Sequence, residues 1–590
     1  MSPTRFHCAT SLLFWDVPSN ATDSCDENGN FVVEGQLLMS RSARVALIDD
    51  EGNVVNSQSE DITTYHPIAD HYEQSSEQIW GKVCKLIKKV TRKSPIDGEA
   101  ATEFQRRIKG IGFAATCSLV ALDENDKPVS LSVTGEDSQN IIMWMDHRAR
   151  EEADSINATG HELLKYVGGK VSLEHQIPKL LWIKKNMPEA WSRTKKFFDL
   201  ADYLTYKASH DDTRSICTLV CKWNFAGHQF TKEGGRGWDD SYFQQIGLND
   251  FVDEHYVRIG GSKIRNVGDR LGRGLCKEAS ERMSIPTGIP ISTGVIDAHA
   301  GGIGLLGTII EGDAPSAQAS SRVRGRMAVI SGTSTCHMIV TDQAKFVPGV
   351  WGPYFSAMIP DMWLLEGGQS ATGGLIDFIV KNHSAYNQLD EISKKSQYSP
   401  LEVLTHRLHR MAVTQKIELD RLTSDLHVLP YFHGNRSPRA DPTLTGAICG
   451  LKMRGSVDDL AVLYLAVLQS IAYGTRHIIE EMSSKDVHID TLLMTGGATK
   501  SELVIGQHAN VTGVRIVTCR GDAVLGGAAI LAASASKLFD NLPQCMQKLN
   551  RFHRLVKPDE SVRGYHEAKY RVFLKMYEDQ MSYRTIMSQN

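Results

Sequence analysis

The chain has 590 residues, with 65 Lys+Arg against 69 Asp+Glu and a formal net charge of −4. That near balance argues against a nucleic-acid partner, because neutralising phosphates takes a basic surplus. Hydrophobic residues at 41% and charged residues at 23% are the composition of a globular protein and exclude disorder on the scale of the whole chain.

Residues 1–35 are rich in Ser, Asn, Asp and Thr without a sustained period, and read as a weakly ordered head. The apolar runs 43–48 and 54–55 flank Asp49-Asp-Glu-Gly52, a β-hairpin signal. A helix is predicted over 74–90, a buried strand over 108–122 and another over 141–145. Helices and short strands then alternate to about residue 300, the signature of an α/β chain. Residues 312–321 read as an exposed linker. A second round follows, with strands at 327–330 and 336–340 around a turn at 331–335. A helical insertion spans 385–425, and a long helix covers 456–482. A strand at 491–495 runs into Gly496 and Gly497, a helix covers 502–510, and a small-residue helix covers 523–533. The tail carries helical pattern around 565–581. Residues 37–49 can be laid over 330–342, each a small polar turn feeding a strand, which suggests duplication.

No segment reads as apolar over the length a bilayer requires. The longest candidate, 460–471, is interrupted by Tyr464, Gln469 and Ser470. The short apolar patch 12–15 lacks the form of a secretory signal, so a cytoplasmic protein without a membrane partner is expected. Eleven cysteines show no CxxC pairs and no Cys/His ligand spacing. Cys217 and Cys221 are four apart with no further partner in sequence, so buried free thiols and no metal site are expected.

Several short segments have the residue types of a ligand site. In Ser331-Gly-Thr-Ser-Thr335 a glycine between strands lets backbone N–H groups converge on an anion, and Thr333 and Ser334 add hydroxyls. Gly373 and the pair Gly496 and Gly497 stand at helix entries where a phosphate or a flat ligand can approach. Each alone reads more simply as an ordinary turn; together they suit a nucleotide site built from several loops. In the first half, Trp144, Asp146, His147 and Arg148 follow an apolar strand, where α/β sites gather ligand contacts. A surface ion pair is the plainer reading of any one of them. Asp297 stands between an apolar strand and a glycine-rich segment, placed to accept a hydroxyl proton in phosphoryl transfer or simply to cap a helix. Lys222 and Glu366 are candidate polyol contacts.

These motifs stand in an order that resembles the FGGY family of carbohydrate kinases. The set runs from Gly110 and Gly112 through Thr116-Cys-Ser118, Met143-Trp-Met-Asp-His-Arg148, Pro178-Lys-Leu-Leu-Trp182 and Cys221-Lys-Trp223 to Ile296-Asp-Ala-His-Ala-Gly-Gly302. It continues through Ser331-Gly-Thr-Ser334, Val350-Trp-Gly-Pro-Tyr354, Glu366-Gly-Gly-Gln-Ser370, His433-Gly-Asn-Arg-Ser-Pro438 and Gly496-Gly497. Within the family the chain is most similar to the ribulokinase-like branch.

The resemblance implies two actin-like, ribonuclease H-like and hexokinase-type ATPase domains around a central cleft. The expected layout is a head at 1–35, a sugar-binding domain at 36–307, an ATP-binding domain at 308–556 and a helical tail at 557–590. It also implies phosphorylation of a ketopentose, D-ribulose first, with ATP and Mg2+. Asp297 would be the general base, and Thr116, Trp144, Asp146, His147, Arg148, Lys222 and Glu366 would bind the sugar. Gly332, Thr333, Ser334, Gly373, Gly496 and Gly497 would hold ATP. Family members are often dimers, so a homodimer is implied.

The chain also departs from the family pattern. The family's opening Asp-x-Gly-Thr-x-Ser turn falls on 37–42, where Leu37 and Met39 replace the Asp and the Gly. Ala114 stands where the branch has Asp, and Ser501 where Asn is common. Either the head and first strand are a mis-joined segment, the reading preferred because the match returns abruptly at Ser42, or the chain is a weakened or non-catalytic binding relative. A glycerol or hexulose kinase on the same fold is a third reading.

Overall fold

A computed structural model describes the backbone of 12–15 and 35–39 and all atoms of 42–93, 100–232, 235–313 and 319–589. The rest of the expected head, Ser40 and Arg41 of the first loop, and 314–318 of the expected linker lie outside the described residues.

The first half is built on a six-stranded sheet. Strand Ser42–Asp49 folds back through the expected hairpin onto Val54–Asp61. Its turn is fixed by Asp49, whose carboxylate accepts from the Asn53 backbone at 2.7 Å, and by Gly52 at φ +85°. Strand Gly35–Met39 runs parallel to Gly112–Ala115, which in turn pairs with Val295–Ile296. Helix Ser76–Val90 begins where Ser75 accepts from the Gln78 backbone N–H. It packs its apolar face, including Ile79, Trp80, Val83 and Ile87, into the core.

The single strand expected over 108–122 is in fact two, Gly112–Ala115 and Leu119–Leu122, belonging to different sheets. A tight turn, with Ser118 N–H donating to the Thr116 carbonyl at 2.8 Å, separates them. Periodicity alone cannot detect such a break in a continuously buried run. The strand expected over 141–145 shortens to Ile141–Ile142, and the chain turns from Met143 onward.

The second half is a seven-stranded sheet in the order Trp351–Phe355, Trp363–Gln369, Thr335–Thr341, Arg326–Ser331, Thr491–Gly496, Arg515–Cys519 and Phe552–Val556. The hairpin Arg326–Ser331 and Thr335–Thr341 closes at Ser331 opposite Thr335, as Met39 stands opposite Ser42 in the first half. In both halves the first strand of the hairpin is parallel to its inner neighbour. The inferred duplication therefore appears as matching topology. The insertion at 385–425 is helical, with Tyr386–Ser396 and Pro400–Gln415 packed on the long helix Val457–Ser483.

That long helix corrects one expectation. It is long and apolar enough to cross a membrane by length and composition, with mean hydropathy 1.3 over its best window, yet 83% of that window is buried. It also carries buried polar contacts inside the protein: Gln469 donates to the Asp420 carbonyl at 3.0 Å and accepts from the Thr423 hydroxyl at 2.5 Å. It is a core helix. The tail is the helix Arg563–Met587, which seats Tyr570 and Phe573 against Tyr431 and Tyr473. His566 bridges Asp420 at 2.7 Å and the Tyr473 hydroxyl at 2.8 Å, tying the tail to the second half.

The halves meet where helix Asp297–Leu306 crosses helix Ala523–Ala535. A Cβ on Gly304 would stand 1.8 Å from the Ala523 carbonyl oxygen, and one on Gly527 would stand 1.8 Å from that of Ala300. The small-residue composition of 523–533 is thus the condition for two backbones to touch.

Candidate active site

One cleft of about 2830 Å³ runs between the halves. Its inner end is polar. Asp297 is the first residue of helix Asp297–Leu306, directly after strand Val295–Ile296, and its Oδ1 accepts from the Ala298 backbone at 2.8 Å. Burial pushes its carboxyl up to about 6, against the pull of that N–H and of Lys222. Lys222 ends helix Ile216–Lys222 and is 2% exposed. Burial opposes its charge, but Glu174, Glu366 and other neighbours that favour the cation hold its pKa well above the ordinary lysine range.

Glu366 comes from strand Trp363–Gln369 of the other half. Its Oε2 is buried, has no hydrogen-bond partner, and lies 3.9 Å from His299 Nε2. Burial raises its pKa, and Lys222 and Arg436 pull the other way. A buried carboxylate oxygen without a partner facing a cleft is an acceptor waiting for a hydroxyl.

Thr116, Trp144 and His147 line the same end. Asp146 and Arg148 are not on that wall. Asp146 accepts from Arg148 Nε at 2.8 Å and from the Tyr72 backbone at 2.7 Å. Arg148 also reaches Glu73 at 2.8 Å and the Leu131 carbonyl at 2.7 Å, and both paired side chains are fully buried. The turn after Ile142 sends Trp144 and His147 into the cleft and Asp146 and Arg148 into the protein. These four motif residues thus divide into wall and support.

At the outer end, Gly332, Thr333 and Ser334 form the tip of the second-half hairpin and line the cleft with Gly496 and Gly497. Gly496 has φ +99°, and a Cβ there would meet the Ser331 carbonyl oxygen at 2.0 Å. Only glycine lets the neighbouring parallel strand end this close. Gly497 faces open space, with no atom within 4 Å of a would-be Cβ.

Gly373 lines the same cleft and also braces the hairpin tip. Its N–H donates to the Gly332 carbonyl at 3.2 Å, and the Thr372 and Gly374 N–H groups donate to Thr333 O at 2.8 and 3.1 Å. The helix start braces the hairpin tip, and Gly373 is needed because a Cβ would lie 2.5 Å from Gly332 O.

Beyond the tip, Leu375, Leu401, Tyr464, Ala498 and Leu503 give an apolar wall suited to a flat base. Ser501 caps helix Glu502–Thr512 through the Val504 N–H, a task Asn performs equally well, so that departure is conservative for the cap. The glycine-backed tip and this wall fit a nucleoside triphosphate. For Mg2+, the one described cluster with ligand proximity is Cys217, Cys221 and His299, soft donors in the core that do not suit it. His299 also supplies the partner that Cys221 lacks in sequence, at 3.4 Å.

Sequence reading passed over Glu174, Trp351 and Arg436 as site residues; all three line the cleft. The motif runs containing Trp351 and Arg436 were a signal; for Glu174 there was none. The two departures at Leu37 and Ala114 prove to be one feature. Leu37 pairs with Ala114, and Ala114 with Val295, so they share one row across three strands, two residues before Asp297.

The chain matches the FGGY family of carbohydrate kinases over both its parts, the N-terminal domain at 40–304 and the C-terminal domain at 327–536. It belongs to that family and is a carbohydrate kinase. It is 44% identical over 548 residues to an FGGY carbohydrate kinase domain-containing protein of Xenopus laevis, covering 92% of this chain and 96% of that one. It is 37% identical over 518 residues to a D-ribulokinase of Saccharomyces cerevisiae, covering 85% and 71%. The fold is that of solved sugar kinases. A xylulose kinase from Lactobacillus acidophilus superposes with TM-score 0.71 at 18% identity, covering 91% and 96% of the chains. Plasmodium falciparum glycerol kinase with ADP superposes with TM-score 0.70 at 16% identity, covering 91% and 96%.

Proposed function

We propose that this kinase transfers the γ-phosphoryl group of MgATP to the terminal hydroxyl of a ketopentose, D-ribulose first. The observation that carries the site reading is the convergence of Asp297, Lys222 and Glu366 from three elements on one cleft end. The 37% identity to a D-ribulokinase supports the sugar.

In this reading Asp297 accepts the hydroxyl proton as that oxygen attacks phosphorus. A carboxylate near 6 is mostly ionised at neutral pH yet basic enough to take a proton in the transition state. Glu366 accepts a sugar hydroxyl and Lys222 donates to another. Trp144 offers an apolar face to the sugar's C–H groups. The tip 332–334, with Gly496 and Gly497, receives the phosphates. Mg2+ bound to the incoming nucleotide would supply charge neutralisation on the phosphates. The sugar half is taken as 36–307, the nucleotide half as 308–556 and the tail as 557–590. The nine described cysteines are all free, which fits a reducing, cytosolic setting.

A second reading, a weakened or purely binding relative, is favoured by the apolar row of Leu37, Ala114 and Val295. ADP release measured over pentoses, pentitols and glycerol separates the two. Sugar-dependent turnover supports the kinase reading; sugar binding by calorimetry without turnover supports the other.

A further inference from the structure

At the sugar end, a bridge crosses from one half to the other. Glu174, in the loop before helix Gln176–Asn186, belongs to the first half, and Arg436 to the second. Glu174 Oε1 accepts from Arg436 at 2.7 Å, and its Oε2 lies 3.7 Å from Lys222 Nζ. Trp351, on strand Trp351–Phe355 of the second half, has the Lys222 ammonium 4.8 Å and the Arg436 guanidinium 5.2 Å from its ring centre. Two cations thus share the Glu174 carboxylate and one aromatic ring, and Glu366 acts on both as well. The loop carrying Glu174 is pressed on the same strand, since a Cβ on Gly168 would stand 2.8 Å from the Val350 carbonyl oxygen.

We propose that Glu174 is a positioning residue that couples closure of the two halves to sugar capture: docked Arg436 takes one of its oxygens, which loosens its hold on Lys222 and leaves that ammonium set for the sugar. The carboxylate and one cation come from one half and the second cation from the other, so the full cluster exists only with the halves together. Without Glu174, Glu366 would remain as the carboxylate acting on both Lys222 and Arg436, so two like charges brought together out of water would be less fully offset, which resists closure. Parting of the halves would leave Glu174 to Lys222 alone. The sugar, which fills the space beside Lys222, then favours the state in which Arg436 is docked. The same cluster limits transfer to water, because a cleft that closes without sugar would expose the nucleotide to solvent attack. This proposal rests on the sugar lying against Lys222.

The test uses the full chain with D-ribulose and MgATP, comparing Glu174→Gln, Arg436→Gln, the double variant and Lys222→Met. Sugar KM and the ratio of sugar-independent to sugar-dependent ADP release are read alongside thermal melting. Glu174→Gln and Arg436→Gln are each expected to raise sugar KM and that ratio about tenfold, with the double no worse than the more severe single. Glu174→Asp, which keeps the charge, is expected to fall between wild type and Glu174→Gln, and serves if the amide fails to fold. Folded variants with both readouts within about twofold of wild type, or singles whose effects multiply in the double, overturn the coupling. Unchanged sugar KM in Lys222→Met would instead sink the placement of the sugar, a separate failure.

Discussion

Gly527 lies against Ala300 so closely that a Cβ on the glycine would stand 1.8 Å from the alanine's carbonyl oxygen. The contact joins the helix headed by Asp297 to the small-residue helix of the second half, and so fixes where the candidate base stands relative to the nucleotide end. Gly527→Ala must push the two helices apart. Overpacking of this kind costs about 1–3 kcal/mol. The expected result is a melting point lower by several degrees and a fall in kcat, read by calorimetry and by steady-state ADP release.

The raised carboxyl of Asp297 sets the pH dependence of turnover. Activity should fall with a single acid limb near pH 6, as the base is protonated. Asp297→Asn should lower kcat by at least about a hundredfold while leaving sugar and ATP binding nearly unchanged, measured by calorimetry. The same shift acts on stability in the opposite sense to a salt-bridged carboxylate. A carboxyl whose pKa is raised by folding favours the folded state at low pH, and that favour is lost as pH rises through about 6. Asp297→Asn should therefore be the more stable protein above neutrality, with the difference gone below the ordinary aspartate range.

Much of this arrangement was legible in the sequence. Asp297 and the glycine turns were readable because a strand end and a turn demand recognisable residues. Lys222 and Glu366 were readable as candidate polyol contacts, and the ordered motif set added weight to them. The split among Trp144, Asp146, His147 and Arg148 was not readable, because which side chains face a cleft after a strand depends on where the strand stops. Glu174 was invisible for another reason: its hydrogen-bond partner Arg436 lies 262 residues away, on the far side of a domain boundary. The cleft-side break at Thr116 was hidden inside a run that is buried on both sides of it.

Arg148 offers a direct check on that split. As an interior partner of Asp146 and Glu73, its loss leaves two buried carboxylates without their cation. Arg148→Met should destabilise the protein by about 3–5 kcal/mol, as breaking buried pairs does. A sugar contact on the surface of the cleft would instead raise sugar KM with little change in chemical denaturation.

The nucleotide end is tested at Gly496. A side chain there meets the Ser331 carbonyl at 2.0 Å and must also adopt φ +99°. Gly496→Ala should raise ATP KM about tenfold or more through displacement of the hairpin tip, with sugar KM nearly unchanged. Equal changes in both constants would mean that the tip does not act on the nucleotide alone.

The central claim is that this chain uses Asp297 to phosphorylate a ketopentose. The most direct measurement is ADP release by the purified full chain with D-ribulose as acceptor, run in parallel with Asp297→Asn. D-ribulose-dependent release is expected of the wild-type chain and its near abolition in the variant, with sugar binding retained. A folded wild-type chain that binds MgATP and shows no D-ribulose-dependent release, or an Asp297→Asn variant that turns over normally, would contradict it.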